Sequence, residues 1–358
     1  HVKNNQIADN FQKEVAEVKE QGKIPIVLLA QLSGSYAVPG KGAAWAAQYA
    51  VDEINSNGGI NGRQMQLIIK DTRSDKQLAG RYYIGAARET MAILGPVDAP
   101  ESAAVSESLN DKKVTNIAAY SYSDVREKNA PYAVSYMSDT QKGELEEILM
   151  WIQKNSQIHD VIIFARQADV SQQKTIDLIR RQADTLGIRI REIIQLKGDS
   201  TASDYTKYAV QALNCKADGY ISLLNMADYS NLLPQLRMRG ITDGNTISAS
   251  FSAFTDETLQ LDPQVLDGTY IWSKFNLDYE GEEWQKLVAV YAKEHQGQTP
   301  AVNTIPDMYD AVMALAQCME EKQITGSDSV REEELKKIAD WFADSTQVHG
   351  IQGDFYWK

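Results

Sequence analysis

The stretch EINSNGGINGRQMQLII, residues 53–69, stops a helical pattern and restarts the chain as a strand within a few residues. Upstream, in PGKGAAWAAQYAVDEINS (39–56), Ala43, Ala46, Ala47, Ala50, Val51 and Ile54 recur on one face at helical spacing. Pro39 and Gly40 fit a helix start. Asn57-Gly58-Gly59 supply residues that adopt the left-handed conformation in which helices end. Asn61-Gly62 reads as a second tight turn, and MQLII at 65–69 as the strand that follows it. The helical face is mostly alanine, so this helix packs close to whatever it covers. Turn chemistry alone makes the stretch an ordinary helix-to-strand connection; its meaning comes from what repeats around it.

What repeats is a strand–helix rhythm. IPIVLLA (24–30), MQLIIKD (65–71), AILG (92–95) and VTNIAA (114–119) read as strands, with helical patterns near 76–90 and 101–111. The rhythm resumes with DVIIF (160–164), IRIREII (188–194), DGYISLL (218–224), TISAS (246–250) and GTYIWSKF (268–275). Apolar strands alternating with helices predict parallel sheets covered on both faces. Runs of four and five strands predict two similar halves, so the fold class is α/β with two doubly wound, Rossmann-like lobes. The segment at 120–139 is the expected crossing. Residues 1–23 place Ile7, Phe11, Val15 and Val18 at helical spacing, which predicts an amphipathic lead-in helix. Further helices are predicted at 283–294, 307–323 and near 331–342. In such sheets small ligands bind beyond the carboxyl ends of the strands, and two facing lobes would make that a cleft.

Composition bounds the function. The 358 residues suit two domains, and a hydrophobic content of 43% with 24% charged residues is ordinary for a globular chain. A formal net charge of −13 argues against nucleic acid and against docking on an anionic membrane surface. No apolar run approaches the roughly 18 residues that span a bilayer. A mature exported chain would already have lost a signal peptide. Cys215 and Cys318 lie far apart in apolar contexts and are expected as two buried free thiols.

The familiar catalytic patterns are missing. GSYAVPGKG (34–42) imitates a phosphate loop, but five residues separate Gly34 from Gly40, and Gly42 stands where magnesium needs Ser or Thr. No glycine fingerprint follows a strand, and no GxSxG is present. The histidines at 1, 159, 295 and 349 form no HExxH, and no CxxC occurs. The paired acids lie in polar helical stretches, where a solvated face explains them. No catalytic residue, metal site or cofactor is therefore expected.

With the rhythm in place, residues 24–75 resemble the start of type I periplasmic solute-binding proteins, the leucine/isoleucine/valine-binding family of ABC importers. That family opens with a strand, a Ser/Thr-Gly turn, a helix ending I-N-x-x-G-G-I-x-G, and a strand ending in Asp. ILGP (93–96), MSDTQKG (137–143), ASDYTKYAVQALNCKADGYISL (202–223), LLPQLRMRG (232–240) and GTYIWSKF (268–275) continue the resemblance, while the lead-in helix departs from it. The resemblance implies the type I periplasmic-binding fold. Residues 1–121 and 277–358 would form the first lobe, including the lead-in helix, and residues 122–276 the second. The two lobes would close on a small solute by hinge motion.

Carried over position by position, the first lobe would contact solute through Ser35, Tyr36 and Pro39, then Val97, Asp98, Ala99 and Ser102, then Tyr120, Ser121 and Tyr122. The second would use Gln167, Asp169, Asn225, Ser250 and Phe251. Three departures bear on the ligand. Ala99 stands where amino-acid binders carry a serine for the carboxylate. Tyr120-Ser121-Tyr122 replaces a small-small-Thr turn. Phe251 stands where an acidic residue often pairs with the ammonium. A buried ammonium without a carboxylate is costly, so Asp98 or Asp169 supplies the charge, or the ligand carries no ammonium.

The expected function is an extracytoplasmic, non-enzymatic solute-binding protein. It would be periplasmic or tethered to the outer face of the membrane, act as a monomer, and hand its ligand to an ABC permease. The first expectation for the solute is an apolar or aromatic amino acid. The alternatives are an aromatic or aliphatic carboxylate without an ammonium, and a ligand-sensing input domain.

Overall fold

A computed structural model describes the chain outside residues 1, 35, 122, 137–139, 156, 199–201, 243–244, 251–252, 345 and 358. The chain forms two compact units. Unit 1 comprises His1–Asp139, Tyr279–Ala289 and Thr304–Lys358, and unit 2 comprises Thr140–Asp278 and Val290–Asn303.

Unit 1 is built on the parallel strands β1 (Ile24–Ala30), β2 (Met65–Asp71), β3 (Ala92–Leu94), β4 (Thr115–Ala118) and β5 (Ala133–Ser135), in the order β2-β1-β3-β4-β5. Val27 of β1 lies beside Ile68 on one side and Ile93 on the other. All seven residues of β1 are buried. Because successive side chains point to opposite faces, that burial means both faces of the sheet are covered.

The opening stretch behaves as its turn chemistry dictates. The helix Ala37–Ser56 ends at Asn57, Gly58 and Gly59 take φ values of 101° and 74°, and the Gly59 amide donates to the Ile54 carbonyl at 2.9 Å. A Cβ on Gly59 would lie 2.0 Å from the Arg63 carbonyl oxygen, so only glycine fits both the dihedral and the space. The predicted alanine-rich face of this helix is buried. It packs against the helix Thr304–Glu321, where Tyr309 Oη donates to Glu53 at 2.8 Å.

Three features differ from expectation. The fifth strand, β5, lies in the segment read as the crossing; it pairs with β4, so unit 1 runs to residue 139 instead of ending at 121. A three-residue strand leaves too short an apolar run to be recognised. The helix expected at 101–111 is two, Ala99–Ser106 and Leu109–Lys112. Residues 290–303 belong to unit 2 although the 277–358 segment was expected in the first lobe, and the helix Glu282–Glu294 crosses that boundary. The lead-in helix exists as Val2–Glu20 and lies on the helix Lys76–Ala87, burying Ala8, Phe11, Val15 and Val18.

Unit 2 repeats the plan with β6 (Asp160–Arg166), β7 (Arg189–Leu196), β8 (Gly219–Ser222), β9 (Thr246–Ser248) and β10 (Thr269–Ile271), parallel and ordered β10-β9-β8-β6-β7. Along β6, Val161, Ile163 and Ala165 enter one apolar cluster while Ile162 and Phe164 enter the other, so this sheet too is buried on both faces. The chain then returns to unit 1 and ends in an unanticipated antiparallel hairpin, β11 (Gln347–Gly350) and β12 (Gly353–Tyr356). Both cysteines are free, but Cys215 is only half-buried, unlike the buried Cys318.

Candidate functional site

Doubly wound connectivity carries the start of a helix to the carboxyl end of each strand. The loops there hold most of the predicted contact residues, and each unit has its own set.

In unit 1, β3 ends in Gly95-Pro96. Gly95 has φ 75°, and a Cβ there would lie 1.9 Å from the Leu29 carbonyl oxygen, so the loop leaves the sheet pressed against β1. Asn116 of β4 fastens this turn, donating through Nδ2 to the carbonyls of Ile93 (3.0 Å) and Gly95 (2.7 Å). Its Oδ1 accepts the Tyr120 hydroxyl at 2.6 Å. Tyr120 is thereby packed into the lobe with its hydroxyl engaged. Asn116 was not anticipated; the signal was a fully buried amide inside the apolar run VTNIAA.

Asp98 caps the helix Ala99–Ser106. Its Oδ1 accepts the Glu101 amide at 3.1 Å, and its Oδ2 accepts Gln31 Nε2 at 2.7 Å. Gln31 Oε1 in turn accepts the Ser74 hydroxyl at 2.7 Å. One turn on, Glu101 is 1% exposed and accepts Thr72 Oγ1 at 3.0 Å. Burial raises the Asp98 carboxyl above its ordinary value despite these bonds. Burial first, and then the Asp98 charge, pushes the Glu101 carboxyl up to about 7.

Ser102 is fully buried and donates to the Asp98 carbonyl at 2.7 Å, so its hydroxyl serves the helix. The Val97 carbonyl accepts the Tyr136 hydroxyl at 3.1 Å. Burial, then the charges of Asp307 and Asp98, keep that phenol far above its ordinary range. Tyr36, Asp98, Tyr136 and Asp307 therefore share one electrostatic neighbourhood. Tyr36 stands at the start of the helix Ala37–Ser56 and is exposed, while the Pro39 carbonyl accepts Thr304 Oγ1 at 2.7 Å. Ala99 and Ser121 are half-buried. Asp307 and Tyr136 were missed because an acid in a helix's first turn and a tyrosine after a short strand look ordinary.

In unit 2, two of the predicted residues are helix caps. Asp169 accepts the Gln172 amide at 2.9 Å and Asn225 accepts the Asp228 amide at 3.2 Å. Gln167 is exposed, its amide donating to the Leu196 carbonyl at 3.0 Å. Ser250 is half-buried, and its carbonyl accepts the Ala253 amide at 3.1 Å. Among them Arg166, the last residue of β6, pairs through Nε with Asp228 Oδ2 at 2.7 Å and through Nη2 with Oδ1, and its Nη1 donates to the Gly198 carbonyl at 2.6 Å. Tyr205 completes the network with a 2.6 Å bond to Asp228. The Asp228 hydrogen bond raises the Arg166 guanidinium above its usual value. A charged residue closing the apolar run VIIFAR was the overlooked signal.

Ser35, Tyr122 and Phe251 lie outside the described residues. Among the described residues, no group of three or more His, Cys, Asp or Glu side chains is arranged to hold a metal ion, and no helix is long and apolar enough to cross a membrane.

Comparison with known proteins gives one family and one fold. The sequence pattern of the family described as "Periplasmic binding protein" matches residues 23–344. No curated protein matches. Among solved structures, the branched-chain amino acid transporter substrate-binding protein LivJ from Streptococcus pneumoniae, in complex with isoleucine, superposes with a TM-score of 0.77 at 18% identity, covering 94% of this chain and 92% of that one. A leucine-binding protein, LivK, from Thermotoga maritima gives 0.74 at 18% identity, covering 92% and 90%. An ABC transporter solute-binding protein from Rhodopseudomonas palustris, in complex with 3,4-dihydroxybenzoic acid, gives 0.77 at 16% identity, covering 93% and 88%. At such identities the likeness establishes the two-lobed α/β architecture.

Proposed function

Since the chain belongs to the periplasmic binding protein family, matched over residues 23–344, we propose that it captures a small organic solute for an ABC importer. The solute is an apolar or aromatic amino acid, bound at the strand-end loops without being transformed. The protein works outside the cytoplasm as a monomer and delivers to a membrane permease. What supports the reading is the unit 1 cluster: a carboxyl (Asp98), an amide (Gln31) and two tyrosines (Tyr36, Tyr136) gathered beyond the carboxyl ends of β1, β3 and β5. Tyrosine faces suit an apolar body, and Asp98 offers the charge an ammonium needs. In unit 2, the loops holding Gln167, Asp169, Asn225 and Ser250 supply the second set of contacts.

Thermal melting with apolar and aromatic amino acids, and with 3,4-dihydroxybenzoate, tests this. A ligand at about a hundred times its Kd adds roughly 2.7 kcal/mol. That is worth on the order of 4 °C in Tm for a chain of this size. A rise with amino acids is expected. A rise with the aromatic acid alone would favour a carboxylate solute, in line with Ala99 standing where amino-acid binders carry serine. No rise with any member of the panel would overturn the reading.

A further inference from the structure

Two carboxyl groups meet beneath the loop that follows β3. Asp98 is 8% exposed and Glu101 1%, and they lie within hydrogen-bonding reach of each other. Their four oxygens receive three donors from the surrounding chain: Gln31 Nε2, the Glu101 amide and Thr72 Oγ1. The remaining oxygen, Glu101 Oε1, is buried and accepts no hydrogen bond among the described residues. A bare buried carboxylate oxygen is costly, whereas a protonated one donates. Glu101 Oε1–H directed at Asp98 satisfies both groups with one proton.

The surroundings offer little other compensation. From the helix Lys76–Ala87, packed on the helix that carries the pair, Lys76 acts on Asp98 as a cation. From β1 and the loop after β2 come the neutral Gln31, Thr72 and Ser74, of which Gln31 and Thr72 both act to lower the Glu101 carboxyl without offsetting burial and the Asp98 charge. From beyond β5 comes Tyr136, kept neutral by burial, on which Asp307, Asp98 and Tyr36 all act electrostatically.

We propose that Asp98 and Glu101 hold one proton between them and that the ammonium of a bound amino acid displaces it, so that solute capture releases a proton and Glu101 sets the preference for cationic headgroups. This rests on the solute-binding reading above. Burial that pushes the Glu101 carboxyl up to about 7 keeps the proton in place at pH 6 in the free protein. An ammonium at Asp98 supplies the missing positive charge, both carboxyls ionise, and the proton leaves to solvent. The pair thus reads solute charge against a proton, without Glu101 having to touch the solute.

Isothermal calorimetry at pH 6 on the full chain, with L-isoleucine, L-leucine and L-phenylalanine, in two buffers of different ionisation enthalpy, counts the proton. Release on the order of 0.9 of a proton per solute is expected at pH 6 for a carboxyl raised to about 7, with affinity tightening roughly five- to ninefold per pH unit from 5 to 7. Glu101→Gln keeps the shape and a donor toward Asp98. It should bind with buffer-independent enthalpy and a flat pH profile. An enthalpy independent of buffer in the unmodified protein would overturn the inference while leaving solute binding intact, and needs no variant. Binding of 3,4-dihydroxybenzoate alone would overturn the ammonium assignment but not solute capture. Absence of binding by all four compounds would overturn both.

Discussion

Glu101 is the residue on which pH acts most directly. Its carboxyl, ordinarily near 4.5, is pushed up to about 7 by burial and by Asp98. The native state therefore holds this proton more tightly than the unfolded chain does. The stability contribution is fully present below the unfolded value and is lost as pH rises through the folded one. Asp310, pushed up to about 8 chiefly by burial, acts in the same direction over a wider window. Glu101→Gln should flatten the pH dependence of stability between about 5 and 7 and raise stability at pH 8 by roughly 1–3 kcal/mol. Urea midpoints at pH 5 and pH 8 measure it, and an equal loss at both pH values would show that the carboxyl is not held protonated. Nothing in PVDAPESAAVS betrays this: a glutamate three residues after an aspartate reads as a capping pattern on a solvated helix start. Only the fold brings Gln31 and Thr72, some 70 and 29 residues away, over the pair.

At the scale of elements, most of the architecture was legible because apolar runs and turn glycines are strong local signals. β1, with its seven buried residues, and the alanine face of Ala37–Ser56 are direct readings of pattern. The three-residue β5 and the terminal hairpin were not, since their pairing is set by neighbours rather than by composition. The site was legible only as loops. Asp98, Asp169 and Asn225 were taken as ligand contacts, and all three side chains cap helices. The same short polar residues suit both tasks, and doubly wound connectivity puts both tasks at the same strand ends.

The lead-in helix is the clearer case of pattern becoming structure. Phe11 meets Tyr82 edge to face at 5.4 Å, with Lys70 Nζ 5.0 Å from the Phe11 centroid, and Arg88 pairs with Asp9 at 2.7 Å. The helix rides close enough that a Cβ on Gly85 would lie 2.4 Å from the Ala8 carbonyl oxygen. Gly85→Ala should wedge the two helices apart, costing about 1–3 kcal/mol as overpacking. Amide exchange should then accelerate across residues 5–18 and leave β6 unchanged. Unaltered exchange in the lead-in helix would mean that the close approach is not what holds it.

At the scale of the molecule, chain order and folding unit diverge. Unit 1 is completed only when Thr304–Glu321 returns to cover the helix Ala37–Ser56, through contacts such as Tyr309 to Glu53 and Thr304 to Pro39. Both sequence separations exceed 250 residues. That returning helix buries Ile305, Met308, Val312, Leu315 and Met319, while the buried face of Ala37–Ser56 is mostly alanine and glycine, side chains that bring little apolar area each. The five strands of unit 2, by contrast, all lie within residues 160–271. Ending the chain at Asn303 should therefore unfold unit 1 while the β6–β10 sheet persists. Limited proteolysis should then digest residues up to about 139 and spare a fragment beginning near 140. Any amino acid that raises the melting of the full chain should no longer do so for the truncated one, because the loops around Asp98 depend on unit 1. Survival of the amino-terminal fragment against protease would mean that the sheet of β1–β5 stands without its returning helix.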